Sequence, residues 1–248
     1  VSGEGRARVT AVIQARCGSD RLPAKVLLPL AGRPVLGWVV RAARTATEVD
    51  DVVVATTTSP EDDAVEDLAR SWGVSVLRGS PDDVLSRFVA VADRDRPDAV
   101  VRLTADCPML DPAVIDTVVR TWRASPHYDY VSSVLHRTLP RGLDVELVTA
   151  DALRRIDELA TAHHRVHVTS YAYSEPSGLD ILGLSFASAG STHRVTLDTA
   201  ADAQMLAALA DGLGDAPPAW RDVVRWLDEH PDVASINAGV RQKALEQG

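Results

Sequence analysis

The chain of 248 residues is 46% hydrophobic and 25% charged, with a formal net charge of −9. That is enough to bury a sizeable core in one domain, or one domain with an appendage, and too acidic to offer polyanions a broad binding face. No stretch approaches the roughly 18–20 apolar residues of a membrane span, residues 1–8 are too polar and short for a signal peptide, and Cys17 and Cys107 make neither a disulfide scaffold nor a Cys-x-x-Cys zinc pattern, so a soluble cytoplasmic protein that binds neither nucleic acid nor membrane is expected.

Apolar runs and their breakers predict a strand over residues 9–15, a Gly- and Pro-containing loop over 16–24 and an amphipathic helix over 34–47. A β-branched run over 51–57 predicts a second strand, after which Ser59, Pro60 and Asp62 suit the N-cap, N1 and N3 positions of a helix that Gly73 would end. A strand over 74–77, a helix over 82–93, a strand over 99–104 and a helix opened by Asp111 and Pro112 continue the alternation. Such alternation implies an α/β fold: a mainly parallel sheet with helices on both faces, right-handed crossovers and binding loops at the carboxyl ends of the strands. After residue 128 the rhythm changes. Segments 128–133, 143–148 and 181–186 read as strands and 151–173 and 200–213 as helices. A Gly/Pro/Asp linker at 212–218 then leads to terminal helices at 219–230 and 234–246.

The loop after the first strand carries Arg16, Gly18, Ser19, Arg21 and Lys25. Glycine lets backbone N–H groups approach oxygens closely, arginine forks onto phosphate and lysine supplies a compact charge, which together make a phosphate cradle. Lys25 stands out because all the other cationic residues except Lys243 are arginines. Neither Gly-x-x-x-x-Gly-Lys-Ser/Thr nor Gly-x-Gly-x-x-Gly is present.

The string IQARCGSDRLPAKVLLPLAGRPVL at 13–36 closely resembles the N-terminal signature of the sugar-acid cytidylyltransferases, which include the 3-deoxy-manno-octulosonate and acylneuraminate CMP-synthetases, and especially their spore-coat-polysaccharide relatives. Further matches follow in family order: VATTTSPEDD at 54–63, RGSPDDVLSR at 78–87, VRLTADCP at 101–108, RGLDVE at 141–146, HVTSY at 167–171 and RVTLDT at 194–199. The resemblance implies a glycosyltransferase-A- or Rossmann-like nucleotidyltransferase fold that moves CMP from CTP to an acceptor and releases pyrophosphate. It divides the chain into a nucleotide-binding half (9–127), an acceptor or dimerisation half (128–212) and C-terminal helices (219–248), with a homodimer expected.

By the same resemblance Gln14, Ala15, Arg16, Gly18, Ser19, Arg21 and Lys25 would hold the phosphates and part of the nucleoside. Arg78, Ser80, Asp83 and Thr104 would also belong to the nucleotide site, with the segment 78–87 bordering cytosine and ribose. Asp106 and Asp198 would hold Mg2+, and Lys25, Arg16, Arg21 and Asp106 would serve catalysis. Arg141, Asp144, Glu146, His167 and Tyr171 would bind the acceptor, an acidic or modified sugar. Read without the family, Asp198 could simply cap the helix near Ala200, and Asp106 a turn before Pro108. The chain departs from its relatives at Ala105, Val166, Ser170 and Ala200, which bears on the acceptor more than on CTP. The competing readings are a nucleotidyltransferase using another nucleotide or a phosphate or phosphonate acceptor, and a catalytically silent nucleotide-binding homologue.

Other signals carry less. His163 and His167 form an i, i+4 pair on a predicted helix but lack the rest of a zinc motif. Glu61, Asp62, Asp63, Glu66 and Asp67 read as a solvated helix start favoured by the helix dipole. Cys17 and Cys107 read as two small buried thiols in facing loops, where oxidation could close the site.

Overall fold

A computed structural model describes residues 5–174, 177–187 and 192–242. Strand β1 (Val9–Gln14) leads into a loop and a two-stranded hairpin, β2 (Pro29–Leu30) and β3 (Arg33–Pro34), before helix α1 (Val35–Thr45). Strand β4 (Asp51–Thr57), helix α2 (Asp63–Ser71), strand β5 (Ser75–Gly79), helix α3 (Val84–Asp95), strand β6 (Ala99–Thr104) and helix α4 (Pro112–Ala124) follow in the predicted alternation. Next come β7 (Tyr130–Ser132), β8 (Glu146–Thr149), α5 (Ala150–Leu159), the single turn α6 (His163–Val166) and β9 (Ile181–Gly183). The described chain ends with α7 (Ala200–Leu213), α8 (Trp220–Glu229) and α9 (Pro231–Ala234).

A seven-stranded sheet has the order β5-β4-β1-β6-β8-β7-β9. β5, β4, β1 and β6 are mutually parallel, and β8 runs antiparallel to both β6 and β7. Strands of the second half therefore extend the same sheet, where the sequence pattern had suggested an appendage beside it. Alternation along the central strands divides the core into two layers. Ala11, Ile13, Val101 and Leu103 join α1, α4, α7 and α8 in one cluster, and Val12, Val53, Ala55 and Val100 join α3 and α5 in the other.

Local signals set several boundaries. Asp83 caps α3 by accepting from the Ser86 amide at 3.0 Å, and Asp111 caps α4 from the Ala113 amide at 2.7 Å. Thr199 and Asp202 form a reciprocal capping box on α7. Gly73 ends α2 at φ +65°, donating its amide to the Arg70 carbonyl at 2.8 Å.

Three expectations are corrected. Ser59 makes no side-chain cap; a 3-10 turn over Pro60–Asp62 precedes α2, because the Asp62 carboxylate faces inward. The helix expected over 151–173 stops at Leu159 and resumes only as one turn after Ala162 at φ +49°, with turns from 167 onward, so His163 and His167 do not share a continuous helix face. The last helix closes at Ala234, whose successors form turns to residue 239. The rest of that prediction, residues 243–246, and Lys243 with it, lies outside the described residues. No helix among the described residues is long and apolar enough to cross a membrane.

Candidate active site

The carboxyl ends of β1 and β6 border a cleft of about 750 Å³. Its floor is continuous with the sheet, since the Ala15 amide donates to the Ala55 carbonyl at 3.1 Å and the Ala105 amide to the Gln14 carbonyl at 3.0 Å. The basic loop then folds on itself, with the amides of Ser19 and Ala24 both donating to the Cys17 carbonyl at 2.9 Å. Asp62, only 1% exposed, braces the loop by accepting from the Cys17 amide at 2.6 Å and from the Thr57 hydroxyl. This residue had read as part of a solvated acidic cluster; its burial next to the loop amide depends on where β4 lies relative to β1.

Gln14, Ala15, Arg16, Gly18, Ser19, Arg21 and Lys25 all line the cleft, as do Thr104, Asp106 and Asp198. Lys25 is the centre of the charge cluster. Its ammonium donates to Asp106 Oδ2 at 2.6 Å, Asp198 Oδ1 at 2.7 Å and the Leu197 carbonyl at 2.8 Å. Asp198 also takes Arg194 at 2.5 Å and Arg21 at 3.0 Å. Burial opposes the lysine's charge, but Asp106 and Asp198 outweigh it and hold its pKa above the usual range. Burial likewise pushes the Asp198 carboxyl up, and Lys25, Arg194 and Arg21 outweigh this and hold it below the ordinary carboxylate value. The simple capping roles do not hold for these aspartates: Thr199 caps α7, and the Asp106 carboxylate turns to Lys25.

The cleft is also lined by Arg141, Asp144, Glu146 and His167, together with Arg102, Arg137 and Tyr173, which sequence reasoning did not single out. Arg137 forks onto Asp144 at 2.7 and 3.1 Å. Arg141 is crowded: burial, then the nearby Arg137, lowers its pKa, and Arg194 adds to the effect. Glu146 is buried, accepting from Arg102, from the Tyr130 hydroxyl at 2.5 Å and from the Thr169 hydroxyl at 2.8 Å. Its oxygens hold the floor, and Arg102 in turn donates to Gln14 Oε1 at 3.0 Å.

Arg78, Ser80, Asp83 and Tyr171 are held elsewhere. Arg78 clamps β5 to the start of α2, donating to the Thr57 carbonyl at 2.7 Å, Asp63 at 2.5 Å, Glu66 at 2.8 Å and the Ser59 carbonyl at 2.8 Å. The Ser80 hydroxyl accepts from the amides of Asp82 and Asp83, at 3.2 and 3.1 Å. Asp83, besides capping α3, pairs with Arg165 at 2.7 Å. Tyr171 packs edge-on against His164, their ring centroids 5.5 Å apart. Among the described residues no group of three or more His, Cys, Asp or Glu is placed to hold a metal, and His164 Nδ1 lies 2.9 Å from the Ser170 hydroxyl.

Both thiols are free and buried. Burial, reinforced by Asp62, pushes Cys17 up to about 11, and burial, reinforced by Asp106, raises Cys107 well above its ordinary value. Thiolate is the reactive form, so iodoacetamide at pH 7.5 should label either cysteine at least about a hundredfold more slowly than free cysteine. Mass spectrometry of the native and urea-unfolded protein checks this; rapid native labelling would contradict it.

A mainly parallel sheet whose strand ends carry a basic, Gly- and Arg-containing loop, with its lysine held between two aspartates, has the architecture of a nucleotidyltransferase. Residues 10–203 match the model of the cytidylyltransferase family, and the chain belongs to that family, a CTP-dependent nucleotidyltransferase. It is 34% identical to an uncharacterized protein of Methanocaldococcus jannaschii over 97% of this chain and 98% of that protein. It is 31% identical to the spore coat polysaccharide biosynthesis protein SpsF of Bacillus subtilis over 90% of this chain and 95% of that protein. A solved cytidylyltransferase from Leptospira borgpetersenii superposes with a TM-score of 0.89 at 28% identity, covering 96% of this chain and 100% of that one.

Proposed function

We propose that this enzyme transfers CMP from CTP to the hydroxyl of a sugar or sugar-acid-type acceptor, with Mg2+ and with release of pyrophosphate. The observation that carries the reading is the cleft itself, where Arg16, Arg21 and Lys25 line the same space as Arg137, Arg141 and Asp144. An acceptor oxygen attacks the α-phosphorus in line, its bond to phosphorus forms as the bond to the pyrophosphate oxygen breaks, and the hydroxyl proton leaves to solvent. Arg16, Arg21 and Lys25 take up the charge that grows on the phosphoryl and leaving oxygens, so positioning and electrostatics supply most of the catalysis.

Asp106 and Asp198 suit a hard divalent cation. With the Leu197 carbonyl they surround the Lys25 ammonium with three oxygens at 2.6–2.8 Å, a donor set of the kind magnesium takes alongside substrate phosphates once the ammonium has turned to those phosphates. When bound there, Mg2+ would neutralise phosphate charge. Arg141 supports an acidic acceptor, because a half-buried guanidinium crowded by two other cations is relieved by an incoming carboxylate. SpsF and the 3-deoxy-manno-octulosonate cytidylyltransferases among the relatives bear names that fit this class.

The test is pyrophosphate release with each of the four NTPs and Mg2+ against acidic sugars, amino sugars and phosphonates. Turnover confined to CTP plus an acidic sugar is expected. Equal turnover with UTP, or a preference for a phosphonate over every sugar, would overturn the substrate assignment.

A further inference from the structure

Beyond residues 10–203, which match the family, the chain comes back to the cleft. Past α9 it turns, the Ala238 amide donating to the Ser235 carbonyl at 3.3 Å and the Val240 amide to the Asn237 carbonyl at 3.0 Å. These turns bring two polar side chains onto one arginine. Asn237, 3% exposed, donates its side-chain amide to the Arg194 carbonyl at 3.1 Å and to Asp202 Oδ1 at 2.9 Å. Gln242, exposed at the cleft, accepts from Arg194 Nη1 at 2.9 Å.

Arg194 joins this segment to the charge cluster. Its side chain is 8% exposed, with Nε donating to Asp202 Oδ1 at 2.9 Å and Nη2 to Asp198 Oδ2 at 2.5 Å. With Oδ2 held in this way, Asp198 turns its other oxygen, Oδ1, to the Lys25 ammonium at 2.7 Å. The remaining terminal nitrogen of the guanidinium, Nη1, is the one that Gln242 takes. A desolvated donor without an acceptor costs the desolvation of that group, and a charged one costs more. Without the Gln242 oxygen, Arg194 would gain by turning Nη1 toward Asp198 or toward the phosphates of a nucleotide in the cleft, and either move would loosen the placement of Asp198.

We infer that Gln242 is a positioning residue of the active site, occupying Arg194 Nη1 so that the guanidinium stays on Asp198 and off the substrate phosphates. Groups that take part in a reaction have to be held within about 0.5 Å of their working geometry by partners that lock their own rotamers. A glutamine suits the place. Its oxygen accepts from the guanidinium without setting a third carboxylate beside Asp198 and Asp202, where the added charge would repel a triphosphate. No motif announces the role, because the segment lies outside the family match and reaches the cleft only through the fold.

Two variants of the full chain test this: Gln242→Met keeps the length and removes the acceptor, and Gln242→Glu keeps the acceptor. Nitrogen-15 spectra of the arginine side chains need no substrate; Arg194 should show separate, slowly exchanging Nη signals in wild type and Gln242→Glu, and averaged ones in Gln242→Met. The kinetic arm rests on the CMP transfer proposed above and follows pyrophosphate release from CTP with Mg2+ and whichever acidic sugar of that panel wild type uses. Gln242→Met should lower kcat about tenfold, the loss of one hydrogen bond to a charged group, and leave the KM for CTP and for the sugar within about threefold. Its melting temperature should fall by no more than about 4 °C. Gln242→Glu should keep kcat within about threefold of wild type. A raised sugar KM with unchanged kcat in Gln242→Met would make Gln242 a substrate contact, equal kcat losses in both variants would separate the effect from the acceptor, and averaged Arg194 signals in wild type would show no hold on the guanidinium; each result overturns the inference. Wild type that releases no pyrophosphate from CTP would overturn the functional reading instead, and the spectra would still decide whether Gln242 holds Arg194.

Discussion

Replacing Asp198 with alanine should reduce pyrophosphate release about a thousandfold, the scale of losing a principal electrostatic group in the cleft, and should destabilise the protein as well. One carboxylate serves Lys25, Arg21 and Arg194 at 2.5–3.0 Å. Without it those side chains retain too few counter-charges in a largely buried setting, where removing one partner costs far more than the pair contributes. Asp202→Ala is the control. Asp202 also holds Arg194, at 2.9 Å, but it binds Asn237 and the Asp198 and Thr199 amides rather than the cleft cations. That variant should lose stability with a much smaller change in kcat.

The pH dependence carries a sign. The Asp198 and Asp202 carboxyls are held below their usual values, so their contribution is complete above the unfolded carboxylate pKa of about 3.9 and disappears as pH falls through the lower folded value. Lys25 is raised, so its contribution is complete below about 10.4 and disappears only above its higher folded value. Urea unfolding across pH should show the acid limb shrink in Asp198→Ala. Full kcat in that variant would remove Asp198 from the chemistry.

Gly142→Ala should be strongly destabilising. Gly142 has φ +106°, and a Cβ there would meet the Val195 carbonyl carbon at 2.6 Å, the Thr196 nitrogen at 2.7 Å and the Val195 oxygen at 2.8 Å. All three atoms are backbone and cannot rotate away. The contact lies beside the bridge in which the Arg141 amide donates to the His193 carbonyl at 3.1 Å and the Val195 amide to the Arg141 carbonyl at 2.7 Å. The substitution pries apart the segment carrying Arg141 and Asp144 from the one carrying Asp198. A loss of more than about 3 kcal/mol is expected from strain and overlap together. Gly32→Ala separates the two effects, for Gly32 has φ +77° with nothing within 4 Å of a Cβ. It should cost only about 1 kcal/mol from the backbone term. Equal denaturation midpoints for the two variants would show that the close approach at Gly142 is not needed.

Much of this molecule follows from local chemistry that a sequence displays. Strand periods and cap residues located β1, β4, β6 and the start of α4 closely, because a β-branched run or an Asp-Pro start acts within a few residues. The basic loop was legible for the same reason: Arg16, Gly18, Arg21 and Lys25 lie within ten residues of one another. At that end of the sheet the strands were legible in place but not in length. β7 and β9, read over 128–133 and 181–186, are three residues each, because β7 pairs with β8 and β9 with β7 only over that stretch.

The sequence by itself determined the α/β alternation, the strand-end location of the cleft and the basic, glycine-containing character of the first loop, since each depends on residues near one another in the chain. Only the tertiary structure decided that Lys25 bridges Asp106 and Asp198, 81 and 173 positions away, that Asp62 is a buried brace rather than a solvated charge, and that Arg78 is paired while Arg87 is left unmatched in the cleft. The physical reason is common to all three. A charged side chain has no assigned role until the fold sets its solvent exposure and its nearest opposite charge, and both come from strand order and helix packing rather than from neighbours in sequence.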